Sequence, residues 1–180
     1  MIATAQNQAG SHTKRFFGKY RGTVVNNLDP LQKGRIQVSV PDVSNVLLSS
    51  WAVPCVPLAG KQMGAWFMPT IGAGVWVEFE QGDPDHPIWV GCFWGSTAEV
   101  PVLALGANPV SPSIVLQTGG QNTIVISDLP GPAGGIMLKT KTGAMISVSD
   151  TGIVIQNGKG ANISLTGPTV NVNAGALSIT

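Results

Sequence analysis

The sequence predicts an all-β protein in two parts, and three features of the chain carry this prediction. Residues 75–91, VWVEFEQGDPDHPIWVG, alternate apolar and polar side chains around a turn rich in Gly, Asp and Pro, which is the pattern of two strands joined by a tight connection. All 11 aromatic residues lie between Phe16 and Trp94. From Ile114 onward, short alternating aliphatic segments recur every 7 to 12 residues or so, separated by Gly, Asn, Asp or Thr, as in stacked β-repeats.

The composition argues against several classes of function. The chain has 180 residues, a formal net charge of +1 and only 11% charged residues, so little electrostatic attraction draws it to nucleic acid or to an anionic membrane. Hydrophobic residues make up 43% of the chain, and such a chain stays in solution most easily if it buries surface against other chains. No run approaches about 18 apolar residues, and the first residues lack the apolar core of a secretory signal. We therefore expect no signal peptide and no stable membrane anchoring.

The segregation of aromatic residues predicts a boundary between the two parts. The second half of the chain contains no Phe, Trp or Tyr, so it needs a different kind of core. The stretch 96–112 carries three prolines that interrupt any strand ladder. We therefore predict four segments: an N-terminal arm (1–15), a barrel domain (16–95), a linker (96–112) and a β-helical repeat region (113–180).

Each repeat is too thin to form a core by itself, because it offers only two inward aliphatic side chains. Burying one such side chain contributes about 1.5–3 kcal/mol, whereas ordering each residue costs about 1–2 kcal/mol. Three chains around a common axis would bury every inward side chain and would also hide strand edges. The residues predicted to form this trimer core are Ile136, Leu138, Ile146, Val148, Ile153, Ile155, Ile163 and Leu165.

The first half of the chain resembles a known family in five ordered motifs. They are the opening strand at 20–25, the D-P-x-x-x-G-R segment at 29–41, a Trp-led strand at 51–52, a Gly- and Pro-rich approach at 64–74, and the G-D-P hairpin at 75–91. Together they resemble the OB-fold domain of the baseplate V, or VgrG-like, family of central spike proteins. The structural positions of the family motifs are Gly34, Arg35, Pro41, Gly72, Gly74, Gly82, Asp83, Pro84, Pro87 and Gly91.

The resemblance implies an architecture and a role. The fold would be an N-terminal OB-fold barrel followed by a C-terminal β-helix, interwoven as a homotrimer. The role would be that of a structural central spike of a contractile tail or injection machine, which pierces a target envelope, catalyses no reaction and needs no cofactor or metal. The chain would belong to the baseplate of a phage tail or phage tail-like particle. We expect a short form, since no hub domain precedes the barrel and no lysozyme domain fits between barrel and repeats.

The resemblance also implies two partners besides the other copies of the chain. A hub protein of the baseplate would bind at the barrel end, where the N-terminal arm and the surface near Phe16, Phe17 and Lys19 are candidates for the contact. A PAAR-type tip protein would cap the distal end, because the last predicted strand leaves β edges and apolar side chains open. The predicted tip contacts are Leu177, Ser178, Ile179 and Thr180.

One alternative function is an OB-fold module that binds single-stranded nucleic acid or oligosaccharide. A cluster of basic and aromatic residues leads into the first predicted strand, as such modules require. Its members are Lys14, Arg15, Phe16, Phe17, Lys19, Tyr20 and Arg21. The near-neutral net charge and the baseplate-type motifs favour strand packing or docking to a baseplate neighbour instead.

A second alternative is an enzyme or a metal site. Glu78 and Glu80 would share one strand face, and paired carboxylates can serve a cell-wall hydrolase, although a solvated or interface face is the simpler interpretation. Asp83, Asp85 and His86 cluster as metal ligands can, but turn chemistry favours Asp at the first of these positions.

The two cysteines form no C-x-x-C pair. Both Cys55 and Cys92 lie in apolar, strand-like segments. This context predicts buried, reduced thiols rather than a disulfide or a metal site.

Overall fold

The protein is nearly all β, which confirms the predicted fold class. The computed structural model describes residues 14–44, 48–106 and 111–179, so most of the predicted N-terminal arm and Thr180 lie outside the described residues. The chain divides into two compact units, residues 1–95 and 96–180. In the described part, no helix is long and apolar enough to span a bilayer.

The first unit is a small closed barrel. Its strands are β1 (Tyr20–Asn26), β2 (Gln37–Ser39), β3 (Val53–Pro54), β4 (Ala59–Gly60), β5 (Met63–Gly64), β6 (Gly74–Phe79) and β7 (Pro87–Phe93). Five of them form a sheet in the order β2-β1-β6-β7-β3, and β4 pairs only with β5. Strand β3 runs parallel to β7, and Ile36 pairs with Ala52 through two backbone hydrogen bonds of 3.1 and 2.8 Å. This pair joins the two ends of the sheet and closes the barrel.

The core of the barrel consists of side chains that the alternation predicted to point inward. Val75 and Val77 are completely buried, and Phe79 is nearly so. Phe79 also packs against Phe16 and Tyr20, with ring centroids 6.1 and 5.6 Å away. The buried cluster contains Phe16, Val24, Ile36, Val38, Val40, Ala52, Val75, Val77, Phe79 and Trp89. It is the aromatic-rich core that the first half of the sequence predicts.

The hairpin between β6 and β7 turns where the sequence predicted. Residues Glu80–Gly82 form a short 3-10 turn, and the N–H of His86 then donates to the carbonyl of Asp83 at 3.0 Å. The carboxylate of Asp83 accepts from the N–H of Asp85 at 3.1 Å, which is the local bond that makes Asp favourable in turns. Because β6 ends at Phe79, Glu80 belongs to this turn and not to the strand.

A loop built on one carboxylate connects β1 to β2. Asp29 accepts hydrogen bonds from the backbone N–H groups of Leu31 at 2.9 Å, Lys33 at 2.7 Å and Arg35 at 3.3 Å. The guanidinium of Arg35 donates to the same carboxylate at 2.6 and 3.1 Å and lies 5.3 Å from the centre of the Trp51 ring. The side chain of Asp29 is only 2% exposed. The bond to Arg35, aided by the backbone donors, holds the pKa of Asp29 far below its usual range although burial opposes the shift.

Glycine is required at two positions of the barrel for different reasons. A Cβ on Gly74 would lie 2.7 Å from the ring of Phe93. Gly34 has a φ of 75°, and its carbonyl accepts the indole N–H of Trp89 at 3.1 Å. The indole is buried in the core, so this bond satisfies a donor that could not reach water. The glycines of the D-P-x-x-x-G-R segment and of the Gly- and Pro-rich approach to the hairpin are therefore explained in part by packing.

The second unit is an eight-stranded antiparallel sheet. Its strands are β8 (Ser113–Gln117), β9 (Thr123–Ser127), β10 (Gly135–Lys139), β11 (Ala144–Ser149), β12 (Gly152–Asn157), β13 (Asn162–Thr166), β14 (Thr169–Val172) and β15 (Leu177–Ile179). Every strand pairs with its neighbour in the sequence, in the order β15 to β8. The repeats thus form a meander rather than a solenoid within one chain. Each strand from β9 to β14 pairs on both sides with strands of the same chain, so it has no free edge for a strand of another copy. A trimer would therefore have to form by packing of sheets against one another.

The segment predicted as a linker carries structure of its own. Residues Thr97–Glu99 form a 3-10 turn and α1 (Val102–Leu105) is a single helical turn that contacts β8. These residues fall in the second unit. The apolar stretch after Pro101 thus forms a helical turn instead of remaining extended.

The prediction that both cysteines are buried is wrong. Cys55 and Cys92 are both exposed and unpaired. Cys55 follows β3, which is only two residues long. Cys92 comes after Gly91, where the pairing of β6 and β7 shifts register. An apolar, strand-like context was therefore not sufficient to predict burial at either position.

The Asp29 loop generates a prediction about pH. Asp29→Asn should lower the thermal midpoint near neutral pH, because an amide cannot form the charged bond to Arg35. The folded pKa of Asp29 lies below its unfolded value of about 3.9. Its contribution to stability is therefore present above that value and is lost as the pH falls toward the folded pKa. The difference in midpoint between wild type and variant, measured by calorimetry at a series of pH values, should be constant near neutrality and shrink below about pH 4.

The matched control is Asp42→Asn, which changes an exposed carboxylate in the next loop of the barrel. This variant should keep the thermal midpoint of the wild type near neutral pH, because Asp42 is exposed. A difference between wild type and Asp29→Asn that keeps the same size down to strongly acidic pH would contradict the assignment.

Candidate functional site

One face of the second unit carries two unbroken rows of aliphatic side chains, which we call the aliphatic face. The register places Ile136 opposite Val148, Leu138 opposite Ile146 and so on across the whole sheet. The first row contains Ile114, Ile126, Ile136, Val148, Ile153, Leu165 and Val170. The second row contains Leu116, Ile124, Leu138, Ile146, Ile155, Ile163, Val172 and Leu177.

The aliphatic face is open in the single chain. Exposure ranges from 37% at Leu165 to 57% at Ile114 among its large exposed members. On the opposite face of β9, by contrast, Thr123, Val125 and Ser127 are buried. A continuous exposed apolar surface of this kind is rare in monomers and marks an interaction site. The face that should be the core of the sheet therefore has no cover from its own chain.

The eight residues predicted as trimer core all lie on the aliphatic face. They occupy β10 to β13, where Ile146 is opposite Ile155 and Ile153 is opposite Leu165. The structure thus brings these side chains together on one surface, and their burial in a trimer stays a prediction. The members on the outer strands were not predicted, although the same i, i+2 spacing would have identified them: Ile114, Leu116, Ile124, Ile126, Val170 and Val172.

Glycines at strand starts allow the close pairing on which the aliphatic face depends. Gly135 has a φ of 84° and a Cβ there would lie 2.0 Å from the carbonyl oxygen of Val148. Gly152 has a φ of 146° and a Cβ would lie 2.2 Å from the carbonyl oxygen of Leu165. Any side chain at these positions would force the neighbouring strands apart.

The basic and aromatic cluster at the start of the barrel contributes to the barrel itself. Phe16 is buried, Lys19 forms an ion pair with Glu78, and Arg15 lies 3.5 Å from the carboxylate of Asp83. Both cations pair with carboxylates of the same barrel. They are therefore less available to bind the phosphates of a nucleic acid than the sequence suggested.

The remaining two cations of this cluster lie over aromatic rings. The guanidinium of Arg21 is 5.0 Å from the ring centre of Trp76 and 4.8 Å from that of Phe93. The ammonium of Lys14 is 4.9 Å from the ring of Phe16. Phe17 is 72% exposed, so the cluster offers one strongly exposed ring rather than a row of stacking platforms.

The acidic residues considered for chemistry have structural roles in the barrel. Glu78 is engaged by Lys19, and Glu80 lies beyond the strand on which a carboxylate pair was expected. Asp83 forms an ion pair with Arg15, and its carboxylate lies 3.8 Å from Nδ1 of His86. Within residues 14–44, 48–106 and 111–179, no group of three or more His, Cys, Asp or Glu side chains is arranged to hold a metal ion.

The other positions of the family motifs lie at turns and at strand ends of the barrel. Gly72 has a φ of 88° and its N–H donates to the carbonyl of Val24 at 2.8 Å. Gly82 has a φ of 77°, and its carbonyl accepts the N–H of Phe16 at 2.8 Å. Pro87 is fully buried at the start of β7. Pro41 and Pro84 occupy turns, and Gly91 lies at the register shift in β7.

Comparison with known proteins assigns both units. Residues 20–94 match the model of the type VI secretion system and phage-baseplate injector OB domain, and residues 113–178 match the phage baseplate V C-terminal trimerisation domain. The chain is 32% identical over 117 residues to the type VI secretion system spike proteins VgrG1a and VgrG1b of Pseudomonas aeruginosa. This segment is 63% of the chain but only 17% and 15% of those relatives, so the chain spans a small part of their length. With one family domain in each unit, the chain belongs to the phage baseplate V and VgrG-like family of spike proteins.

Proposed function

We propose that the protein is the structural central spike of a contractile tail or related injection particle and that it works as a homotrimer. The observation that carries the proposal is the aliphatic face, which is open across a sheet whose sequence matches a trimerisation domain. Burying each of its exposed side chains contributes about 1.5–3 kcal/mol relative to leaving it in water. The gain from covering the whole face is large compared with the usual cost of association.

In the proposed trimer, three sheets surround one axis with their aliphatic faces inward. Each side chain of the two rows then meets its counterparts from the other copies, which supplies the second layer that the isolated sheet lacks. Backbone hydrogen bonds between strands run along the stacking direction from β8 to β15. A rod built in this way carries load through a continuous ladder of bonds and a continuous core.

The proposed role is mechanical and not enzymatic. The carboxylates that a hydrolase would use are engaged in an ion pair or in a turn. The two family domains that match the chain are described as an injector OB domain and a trimerisation domain. A spike must stay folded while it is driven through an envelope, and the role needs stiffness rather than a reactive group.

Two partners belong to the proposal. A hub protein of the baseplate would hold the barrel end, and the exposed ring of Phe17 is one candidate for the contact. A small PAAR-type tip protein would bind the free edge of β15, where Leu177 is 56% exposed. An open edge with apolar side chains invites further strand pairing, and a tip protein would cover it. The other predicted tip contacts, Ser178, Ile179 and Thr180, lie on the same terminal segment of the sequence.

The first prediction concerns assembly. Ile155→Asp should abolish the trimer, because it would place three unpaired charges close together in the core, each at a cost of several kcal/mol. Ile155 is already 44% exposed in the single chain, so the substitution should spare the fold of the monomer. Native mass spectrometry should give three chains for the wild type and one chain for the variant.

The matched control is Ser164→Asp, since the register places Ser164 opposite Val154 on the other face of the sheet. This variant should remain trimeric. Equal tolerance of both substitutions would show that the aliphatic face is not the interface, and a wild type that is monomeric at micromolar concentration would overturn the proposed function.

The second prediction concerns the tip. Leu177→Asp, or removal of residues 170–180, should prevent co-purification of the tip protein with native particles while the hub protein stays bound. The control is Leu31→Asp, which changes an equally exposed leucine of the barrel and should leave the tip protein in place. Undiminished tip binding by the truncated chain would place the tip contact elsewhere.

A further inference from the structure

The repeat sheet separates its charged residues by sign onto two opposite lateral edges. In a meander, successive turns alternate between the two lateral edges at which the strands begin and end. The strand order therefore fixes the edge on which each turn lies. The repeat region has only five charged residues, Asp128, Lys139, Lys141, Asp150 and Lys159. The three lysines lie at the turns after β10 and β12, and the two aspartates lie at the turns after β9 and β11. We call these sides the lysine edge and the aspartate edge.

Hydrogen bonds between turns confirm that each edge is a single side of the sheet. On the aspartate edge, the N–H of Gly131 donates to the carboxylate of Asp150 at 3.3 Å, which joins the turn after β9 to the turn after β11. On the lysine edge, the side-chain amide of Gln156 donates to the carbonyl of Gly143 at 3.2 Å. The turns on each side therefore stack upon one another.

The five charged side chains have no ion-pair partner within the described part of this chain. All five are exposed, and the ion pairs that the structure shows between described side chains of the barrel involve none of them. Exposed charges without an ion-pair partner in their own chain are available to pair with opposite charges of a second copy.

The two edges also have complementary spacing along the sheet. Aspartate turns follow β9 and β11, and lysine turns follow β10 and β12. Negative and positive turns therefore alternate along the direction in which the strands stack. Neighbouring strands are about 4.8 Å apart. Suppose that two copies lie side by side with equivalent strands at the same height along the axis. Each lysine turn of one copy is then one strand spacing away from an aspartate turn of the other, and a lysine side chain can reach across this distance.

We propose that the lysine edge of each copy lies against the aspartate edge of the next copy around the trimer. The proposal rests on the proposed homotrimer and specifies its geometry. When three sheets turn the same face to a common axis, cyclic symmetry brings the left edge of one sheet to the right edge of the next, which is a heterologous contact. The charge pattern makes that contact attractive at all three corners.

The same pattern selects against the wrong orientation. A copy inserted upside down, still with its aliphatic face inward, has its two lateral edges exchanged. Its lysine edge would then meet the lysine edge of one neighbour, and its aspartate edge would meet the aspartate edge of the other. The aliphatic face is nearly uniform from β8 to β15 and discriminates poorly between up and down. Ion pairs at exposed corners are individually weak. Their effect is to set the orientation of each copy and its height along the trimer axis rather than to supply most of the stability of the trimer.

The test uses the full chain and two charge-reversed variants. One carries Lys139→Glu, Lys141→Glu and Lys159→Glu, so both of its edges are negative. The other carries Asp128→Lys and Asp150→Lys, so both of its edges are positive. In low salt, each variant alone should require at least about tenfold higher concentration than the wild type to form trimers. The deficit should shrink in about 1 M salt, where the Debye length is about 3 Å.

Mixing the two variants separates loss of assembly from loss of folding. An equimolar mixture should form mixed trimers in preference to either homotrimer, as read by native mass spectrometry, because most contacts in a mixed ring join opposite charges. A chain that carries all five reversals should assemble like the wild type. The control, Lys33→Glu with Lys61→Glu, reverses two exposed lysines of the barrel and should assemble normally.

A chemical measurement locates the contact in the unmodified protein. A carbodiimide joins a lysine amine to a carboxylate as an amide with loss of water. In trimers mixed from ¹⁴N- and ¹⁵N-labelled chains, it should link Lys139, Lys141 or Lys159 of one chain to Asp128 or Asp150 of another. If both charge-reversed variants form homotrimers as readily as the wild type in low salt, or if these interchain links are absent, the proposed edge contact is overturned while the spike assignment stands. A monomeric wild type would overturn both.

Discussion

The architecture depends on one constraint: the aliphatic face of the repeat sheet must be buried, and the described residues of the repeat unit leave it exposed. A protein domain normally packs at least two layers of secondary structure around one core. The repeat unit has one layer, and side chains such as Ile136 and Ile163 remain about half exposed on it. In the proposed trimer the missing layer comes from the other copies, so burial of this face depends on assembly.

The barrel satisfies the same constraint within one chain, and this difference separates the roles of the two units. Its sheet closes on itself through the pair of Ile36 and Ala52, so its inner face needs no partner. Buried polar groups are also satisfied internally, as when the indole N–H of Trp89 donates to Gly34. In the proposed spike, the self-sufficient barrel would form the attachment to the baseplate and the open sheet would form the shaft.

Much of this organisation could be predicted from the sequence because strand alternation is a local signal. Val75, Val77 and the inward repeat residues follow a period of two, which depends only on the pleat of a strand. The failures occur where tertiary structure interrupts that period. Strand β6 ends at Phe79, which leaves Glu80 in a turn. Cys92 is exposed although its partner in the ladder is the buried Val75. An i, i+2 pattern also does not state which strands pair, so it fits a solenoid and a meander equally well.

Pairing only between successive strands has a consequence for how the molecule is made. From β8 to β15 each strand meets the next one across a short connection, so contacts are local in sequence and the topology favours rapid folding. During synthesis, N-terminal domains generally fold first, and the barrel would be complete before the repeats emerge. Each sheet can then form strand by strand within its own chain. The aliphatic face is then exposed only after the barrel has formed, which in the proposed trimer shortens the time in which this face can aggregate before other copies cover it.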